Sequence, residues 1–367
     1  MKASKVYCTD FRTGHEGLMH KLQRLANTAG INQIDFNNKY VAIKLHFGEY
    51  GNLSFLRHQY AKALADLIKE LGGKPFLTDC NTLYVGCRKD ALEHLDTAYA
   101  NGFFPFATGC QVLIADGLKG TDEVYVPVLG GEYVQEAKIG RAIMDADVLI
   151  SLNHFKGHEL AGFGGALKNI GMGCGSRAGK MEMHSDGKPR VVAEQCIACK
   201  VCAKVCAHDA PQFDSGKAVI DPEKCVGCGR CLGECPADAI VAAHDSDGKM
   251  LNYKMAEYTK AVLDGRPHFH ISLICDVSPQ CDCHSENDAP IISDVGMLAS
   301  FDPVALDVAC ADLCNAQPIL PNSKLAEVPH HHDHFIANHP NTDWRTCVEH
   351  AEKLGVGTRE YELVKMK

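Results

Sequence analysis

The feature that most restricts this chain is a duplicated cysteine pattern. Glu194-Gln-Cys196-Ile-Ala-Cys199-Lys-Val-Cys202-Ala-Lys-Val-Cys206 returns 29 positions later as Glu223-Lys-Cys225-Val-Gly-Cys228-Gly-Arg-Cys231-Leu-Gly-Glu-Cys235. Both halves read C-x2-C-x2-C-x3-C, and the second runs on into Pro236. Three thiols spaced two residues apart wrap a tight loop around one face of a compact metal centre, each reaching a different metal atom. The fourth cannot turn back onto the same centre. It starts a short helix that carries it toward the other half. Structural zinc also uses C-x2-C pairs, but two pairs complete such a site. That leaves the third cysteine of each run, and the duplication itself, without a purpose.

The run is similar to the bacterial two-cluster ferredoxin motif, in which the fourth cysteine of each half ligates the other cluster. The resemblance implies two [4Fe–4S] clusters. Cys196, Cys199, Cys202 and Cys235 would hold one, and Cys225, Cys228, Cys231 and Cys206 the other. Ala207 stands where the motif has proline after the fourth cysteine, a departure that removes no ligand. Between the halves, Phe213 to Ile220 reads as a hairpin with a Ser-Gly turn. Two clusters crossed in this way lie close enough for fast electron hopping, so the module is a wire.

The chain has 19 cysteines, 11 of them outside the repeat. The N-terminal MKASKVYCTDFR carries charges where an export signal needs an apolar run. Thiols in such a chain are expected to be reduced or metal-bound, which points to a cytoplasmic, reducing and anaerobic setting. No stretch approaches the roughly 18 apolar residues of a membrane span. The formal charge of −9, with no run of Lys or Arg, is not that of a nucleic-acid binder. Neither membrane nor nucleic acid is expected as a partner.

Outside the repeat, short β-branched runs alternate with amphipathic stretches. Lys39–Gly48 and the segments KPFLTDC, QVLIADG, ADVLISLNHF and HFHISLICDVS read as strands. Leu56, Tyr60, Leu64, Leu67 and Leu71 lie at helical spacing, with Gly72-Gly73 as the stop. Further helices are expected near Asp90–Asn101, Gln135–Asp145, Tyr253–Leu263 and, begun by Asp-Pro, Asp302–Cys314. Such alternation gives an α/β fold, a mainly parallel sheet with helices on both faces. The pattern continues on both sides of the cysteines. The expected organisation is an α/β domain over 1–187 and 246–367, interrupted by an α+β ferredoxin-like insert over 188–245. The segment Pro321–Trp344 lacks periodicity and reads as a long loop.

The polar segment Asn153–Asn169 follows a predicted parallel strand. It places Lys156, His158, Lys168 and Asn169 at the carboxyl end of the sheet, where open α/β sheets bind ligands. Gly162, Gly164 and Gly165 permit close backbone approach at the start of the next helix, a favourable place for an anion. An anionic small molecule is therefore the expected ligand. Two nucleotide motifs fail: Leu167 replaces the third glycine of G-x-G-x-x-G. Around Gly179-Lys180, Cys174 and Met181 break a P-loop. In Ser278-Pro-Gln-Cys281-Asp-Cys283-His284 an extended segment would point both thiols to one side, as a redox pair, a metal site or a substrate contact. The histidines of His330–His334, with His339, form a metal-prone cluster. His46, Glu49 and Asp79 end predicted strands and could join the same crevice.

VAIKLHFGEYGN, ISLNHFKGHELAGFGGALKN, SPQCDCHSENDAPIISDVGMLASFDPVALD and the cysteine insert between the last two resemble, in this order, the uncharacterised Fe–S centre proteins of domain of unknown function 362. The resemblance implies an α/β domain with a two-cluster insert and no agreed reaction. The reading that follows is an electron-transfer protein, a ferredoxin-dependent oxidoreductase or its electron-transfer subunit, served by a redox partner such as a ferredoxin or a reductase. Lys156 and Lys168 would hold the anion and His158 supply a proton. The alternatives are a non-enzymatic ferredoxin-like carrier or a metallocofactor assembly factor using Cys281, Cys283 and the histidines, and clusters of purely structural role.

Overall fold

The computed structural model describes residues 3–185, 188–213, 216–243, 248–328 and 331–366. Eight strands form the central sheet: β1 (Ser4–Thr9), β2 (Tyr40–Lys44), β3 (Lys74–Asp79), β4 (Gln111–Ile114), β5 (Val148–His154), β6 (His268–Ile274), β7 (Gly296–Ser300) and β8 (Tyr361–Lys365). Their order is β8-β1-β7-β6-β5-β2-β3-β4. Neighbours from β6 to β4 are parallel, as are β8 and β1, while β7 is antiparallel to both β1 and β6. The fold is thus mixed α/β around a large, mainly parallel sheet. Strands from before and after the cysteine repeat interleave in it.

Successive side chains of a strand point to opposite faces, and here the alternation divides two cores. Val41 and Ile43, Val148, Ile150 and Leu152, and Phe269, Ile271 and Leu273 face one core, packed by α1 (Leu18–Thr28) and α2 (His58–Glu70). Ala42, Leu149 and Ile274 face the other, packed by α3 (Ala166–Cys174), α4 (Gly248–Leu263), α5 (Pro303–Asn315) and α6 (Arg345–Lys353). Helix α2 ends as the glycine pair requires. Gly72 takes φ +89°, its N–H bonds Lys69 O, and the N–H of Gly73 bonds Ile68 O at 2.9 Å, a Schellman closure. Asp302 caps α5 by accepting from the N–H groups of Val304 and Ala305.

Two local expectations are corrected. Gln135–Asp145 is not one helix: Glu136–Gly140 pairs antiparallel with Glu123–Pro127, and only Arg141–Asp145 is helical. A partner strand outweighs a short helical pattern there. Pro321–Trp344 is not a featureless loop, since Lys324–Glu327 and His334–Asn338 are helical turns. Asp333 caps the second, and Phe335 packs between Phe155 and Phe163.

The cysteine segment has its own small scaffold. Pro189–Val191 pairs with Ile240–Ala242, and Pro211–Gln212 with Val219–Ile220. The second pairing is the expected hairpin, although Ser215 of its turn lies outside the described residues. Among the described residues no helix is long and apolar enough to cross a membrane.

Candidate functional site

The parallel strands end on a polar floor. Lys44, Asp79, Asn153 and His154 sit at or beside the carboxyl ends of β2, β3 and β5, and all are buried. The Lys44 ammonium lies 3.0 Å from the Asp79 carboxylate and donates to Asn169 Oδ1 at 2.7 Å. Asn169 Nδ2 donates in turn to Lys44 O, Leu152 O and Asn153 Oδ1. Asn169 therefore ties α3 to the strand ends. Over this floor lies a cavity of about 90 Å³ with five Lys or Arg side chains against three carboxylates in its lining. Lys156, His158, Lys168 and Asn169 all line it, with His46 and Asp79. Glu49 is turned aside to Arg88 at 3.0 Å.

Lys156 and His158 stand on a hairpin, Lys156–His158 against Gly162–Gly164, and both are buried. A Cβ on Gly164 would meet Lys156 Nζ at 2.6 Å, so glycine here leaves room for the end of the lysine. His158 Nδ1 accepts the N–H groups of Leu160 and Ala161, each at 3.1 Å. That nitrogen carries no proton, and the proton of the neutral ring is on Nε2.

Cys281 and Cys283 enter from the loop after β6. They meet in a turn, with the N–H of His284 bonding Cys281 O, rather than in an extended segment. Asp282 between them is clamped by His154, whose Nδ1 lies 2.9 Å from both carboxylate oxygens. Lys168 Nζ donates to Cys281 Sγ at 3.3 Å. A hydrogen bond from Cys283 draws the Cys281 thiol well below its ordinary pKa; burial opposes this, and Lys156 and Lys168 assist. The same bond pushes Cys283 well above its usual value, with burial adding to it. Burial works against the charge on Lys168, yet the two sulfurs and Glu159 raise its pKa. The two thiols are thus driven apart, Cys281 toward the charged form and Cys283 toward the neutral one, with the Lys168 ammonium beside Cys281.

Among the described residues, side chains that can hold a metal ion gather in two overlapping groups, His158 with Cys281 and Cys283, and Glu159 with Cys283 and His284. In each, the ligand atoms lie within 4.8 Å of one another. His284 Nε2 is 3.0 Å from Glu159 Oε1. The histidine segment lies elsewhere. His330 is outside the described residues. His331 and His334 contact each other at 3.0 Å, and His334 reaches Gln317 O. His339 bonds Pro279 O, where Asn338 also donates. His339 and Asn338 thus buttress the turn that carries the cysteines.

The anion place at the start of α3 is filled from within. Asp307 accepts from the N–H groups of Ala166 at 2.7 Å and Leu167 at 2.9 Å. A Cβ on Gly165 would fall 2.4 Å from its Oδ1. The glycines there admit the chain's own carboxylate.

The eight cysteines line two further cavities. One is walled by Cys196, Cys199, Cys202 and Cys235, the other by Cys225, Cys228, Cys231 and Cys206. The duplication extends to the backbone. Left-handed residues recur at the same offset, Ala198 with Gly227, Lys200 with Gly229, and Asp209 with Asp238. The N–H of Ala210 points to Cys206 Sγ, as that of Ala239 does to Cys235 Sγ. Leu83 joins the sites: it lines the polar cavity and packs in the apolar cluster that contains Cys196 and Cys202.

Lys44, Arg88, Glu159, Asp282 and Asp307 are site residues that sequence reasoning missed. Asp282 was within reach, enclosed by the C-x-C pair, and Lys44 is a lone charge in an apolar strand. Nothing local marks Asp307.

No curated protein matches the sequence. Among solved structures, a Thermotoga maritima protein is similar at TM-score 0.41 and 12% identity, covering 84% of this chain and 59% of that one. The lactate racemase apoprotein from Thermoanaerobacterium thermosaccharolyticum is similar at TM-score 0.36 and 11% identity, covering 74% and 51%. The chain thus spans only 59% and 51% of these two structures. A model of the family described as Domain of unknown function (DUF362) matches residues 41–312, and the chain belongs to that family.

Proposed function

We propose that the chain is an iron–sulfur electron-transfer protein, an oxidoreductase or its electron-transfer subunit, acting on an anionic ligand in the cavity at the strand ends. One observation carries the reading: each four-cysteine cavity takes three thiols from one run and the fourth from the other. A pair of [4Fe–4S] clusters demands that crossing, whereas a zinc site closes with two C-x2-C pairs. The donor sets, four thiols per cavity with backbone N–H groups directed at sulfur, fit the clusters. Clusters bound there would supply single electrons.

The chain's own residues define the other end. Lys156 and Lys168 attract a negative group, His158 presents its Nε2 proton, and Leu83 leads from the cavity toward Cys196 and Cys202. The pairing of Pro189–Val191 with Ile240–Ala242 brings the ends of the cysteine segment together, which supports an insert over 188–245 between the parts 1–187 and 246–367. A ferredoxin or reductase in a reducing cytoplasm is the partner in keeping with so many thiols. A second reading, a metallocofactor assembly factor, draws on the two ligand groups around Cys283.

Iron analysis of anaerobically prepared protein tests the main reading, with about eight irons per chain expected. Cys235→Ala should abolish the centre that uses Cys196, Cys199 and Cys202 and leave about four irons. A wild-type chain holding only zinc would end the proposal.

A further inference from the structure

The cavity holds a second sulfur feature that the electron-transfer reading does not require. Cys283 lines the cavity, while Cys281 is fully buried behind it. Their sulfurs lie within 4.8 Å of each other, and Lys168 Nζ stands 3.3 Å from Cys281 Sγ. Of the two groups that could hold a metal, the one that includes Cys281 loses a ligand. His158 Nδ1 accepts two backbone N–H groups, so Nε2 holds the proton and offers no lone pair. The Lys168 ammonium already occupies the space beside Cys281 Sγ, where it would repel a bound cation. Asp282, clamped by His154, fixes the turn in which both cysteines sit.

We infer that Cys283 and Cys281 form a redox-active dithiol that exchanges with small anionic disulfides entering the cavity. Cys283 is the sulfur that meets the substrate, and Cys281 is the resolving thiolate. As Cys283 Sγ attacks one sulfur of RSSR, its proton passes to Cys281, the substrate S–S bond breaks, and a mixed disulfide forms. The departing thiolate takes a proton from solvent. Cys281 then attacks Cys283 Sγ, its own proton going to the second leaving thiolate. In sum, one thiol, one thiolate, RSSR and one proton become the Cys281–Cys283 disulfide and two RSH. The pair is oxidised by two electrons and the substrate reduced by two. An external dithiol returns the pair to its starting state by the reverse exchange. Lys156 and Lys168 select a negatively charged R group, and the narrow cavity a small one. None of these steps requires the clusters.

The test uses anaerobically purified full-length protein treated with dithiodiglycolate, or with cystamine as the cationic counterpart, then alkylated and mapped by mass spectrometry. The wild type should yield a peptide with an internal Cys281–Cys283 disulfide, formed at least tenfold faster with the anionic reagent. Cys281→Ser should instead trap a mixed disulfide on Cys283. Three results would overturn the inference: a wild-type pair that stays reduced while exposed Cys87 reacts, equal rates with the two reagents, or a stoichiometric metal lost on Cys281→Ser. Because disulfide mapping is independent of iron content, failure here is distinguishable from failure of the cluster reading.

Discussion

Replacing Lys168 by Met removes the ammonium that faces Cys281 and leaves a side chain of similar length. The contact is 3.3 Å. At an effective dielectric constant near 20 a unit charge pair at that distance interacts by about 5 kcal/mol, an upper bound. Net of desolvation, a charge-assisted hydrogen bond contributes about 1.5–3 kcal/mol. In the exchange inferred above the reduced pair carries one negative charge and its disulfide none, so Lys168 stabilises the reduced state alone. For a two-electron couple roughly 30 mV corresponds to 1.4 kcal/mol, so Lys168→Met should lower the midpoint potential by about 30–60 mV. Lys168→Arg, which keeps the charge, should recover most of it. The assay is equilibration in dithiothreitol redox buffers, followed by acid quench, alkylation and mass analysis of the peptide carrying both cysteines. A potential unchanged or raised in Lys168→Met would refute the reasoning.

Gly165→Ala should destabilise the chain by about 2–4 kcal/mol. Its methyl group meets Asp307, lifts the carboxylate from the N–H groups of Ala166 and Leu167, and adds overpacking to the lost cap. Urea unfolding measures this, and a change under about 0.5 kcal/mol would show that Asp307 is not the cap. His94 is fully buried without a hydrogen-bond partner for either ring nitrogen, and burial draws its pKa down to about 3. Above pH 6.5 it is neutral in both folded and unfolded chains. Below that only the unfolded chain takes up the proton, so stability falls by about 1 kcal/mol per pH unit down to about pH 3. His94→Leu should flatten that slope between pH 7 and 5.5 in urea titrations; an unchanged slope would exclude His94 as its source.

Much of the scaffold was legible because its causes are local. The Gly72-Gly73 stop is a backbone conformation only glycine adopts cheaply, and the Asp302 cap is made within four residues. Glu136–Gly140 was misread because its strand state is set by Glu123–Pro127 across a hairpin. The start of α3, expected to suit an anion, is occupied by a carboxylate of the chain itself. The carboxylate comes from Asp307, 141 residues away from Ala166.

The same division runs through the candidate site. Spacing alone determined which four cysteines wall each cavity, because three thiols on a short loop leave their own fourth no way back, and that constraint is covalent. Covalent spacing says nothing of what faces Cys281. Lys168 and Cys281 are 113 positions apart and His154 and Asp282 128 apart, and they meet only because β5 and β6 lie side by side. The sheet order, settled by burying two apolar faces at once, decided that the Lys168 ammonium would stand beside Cys281 Sγ.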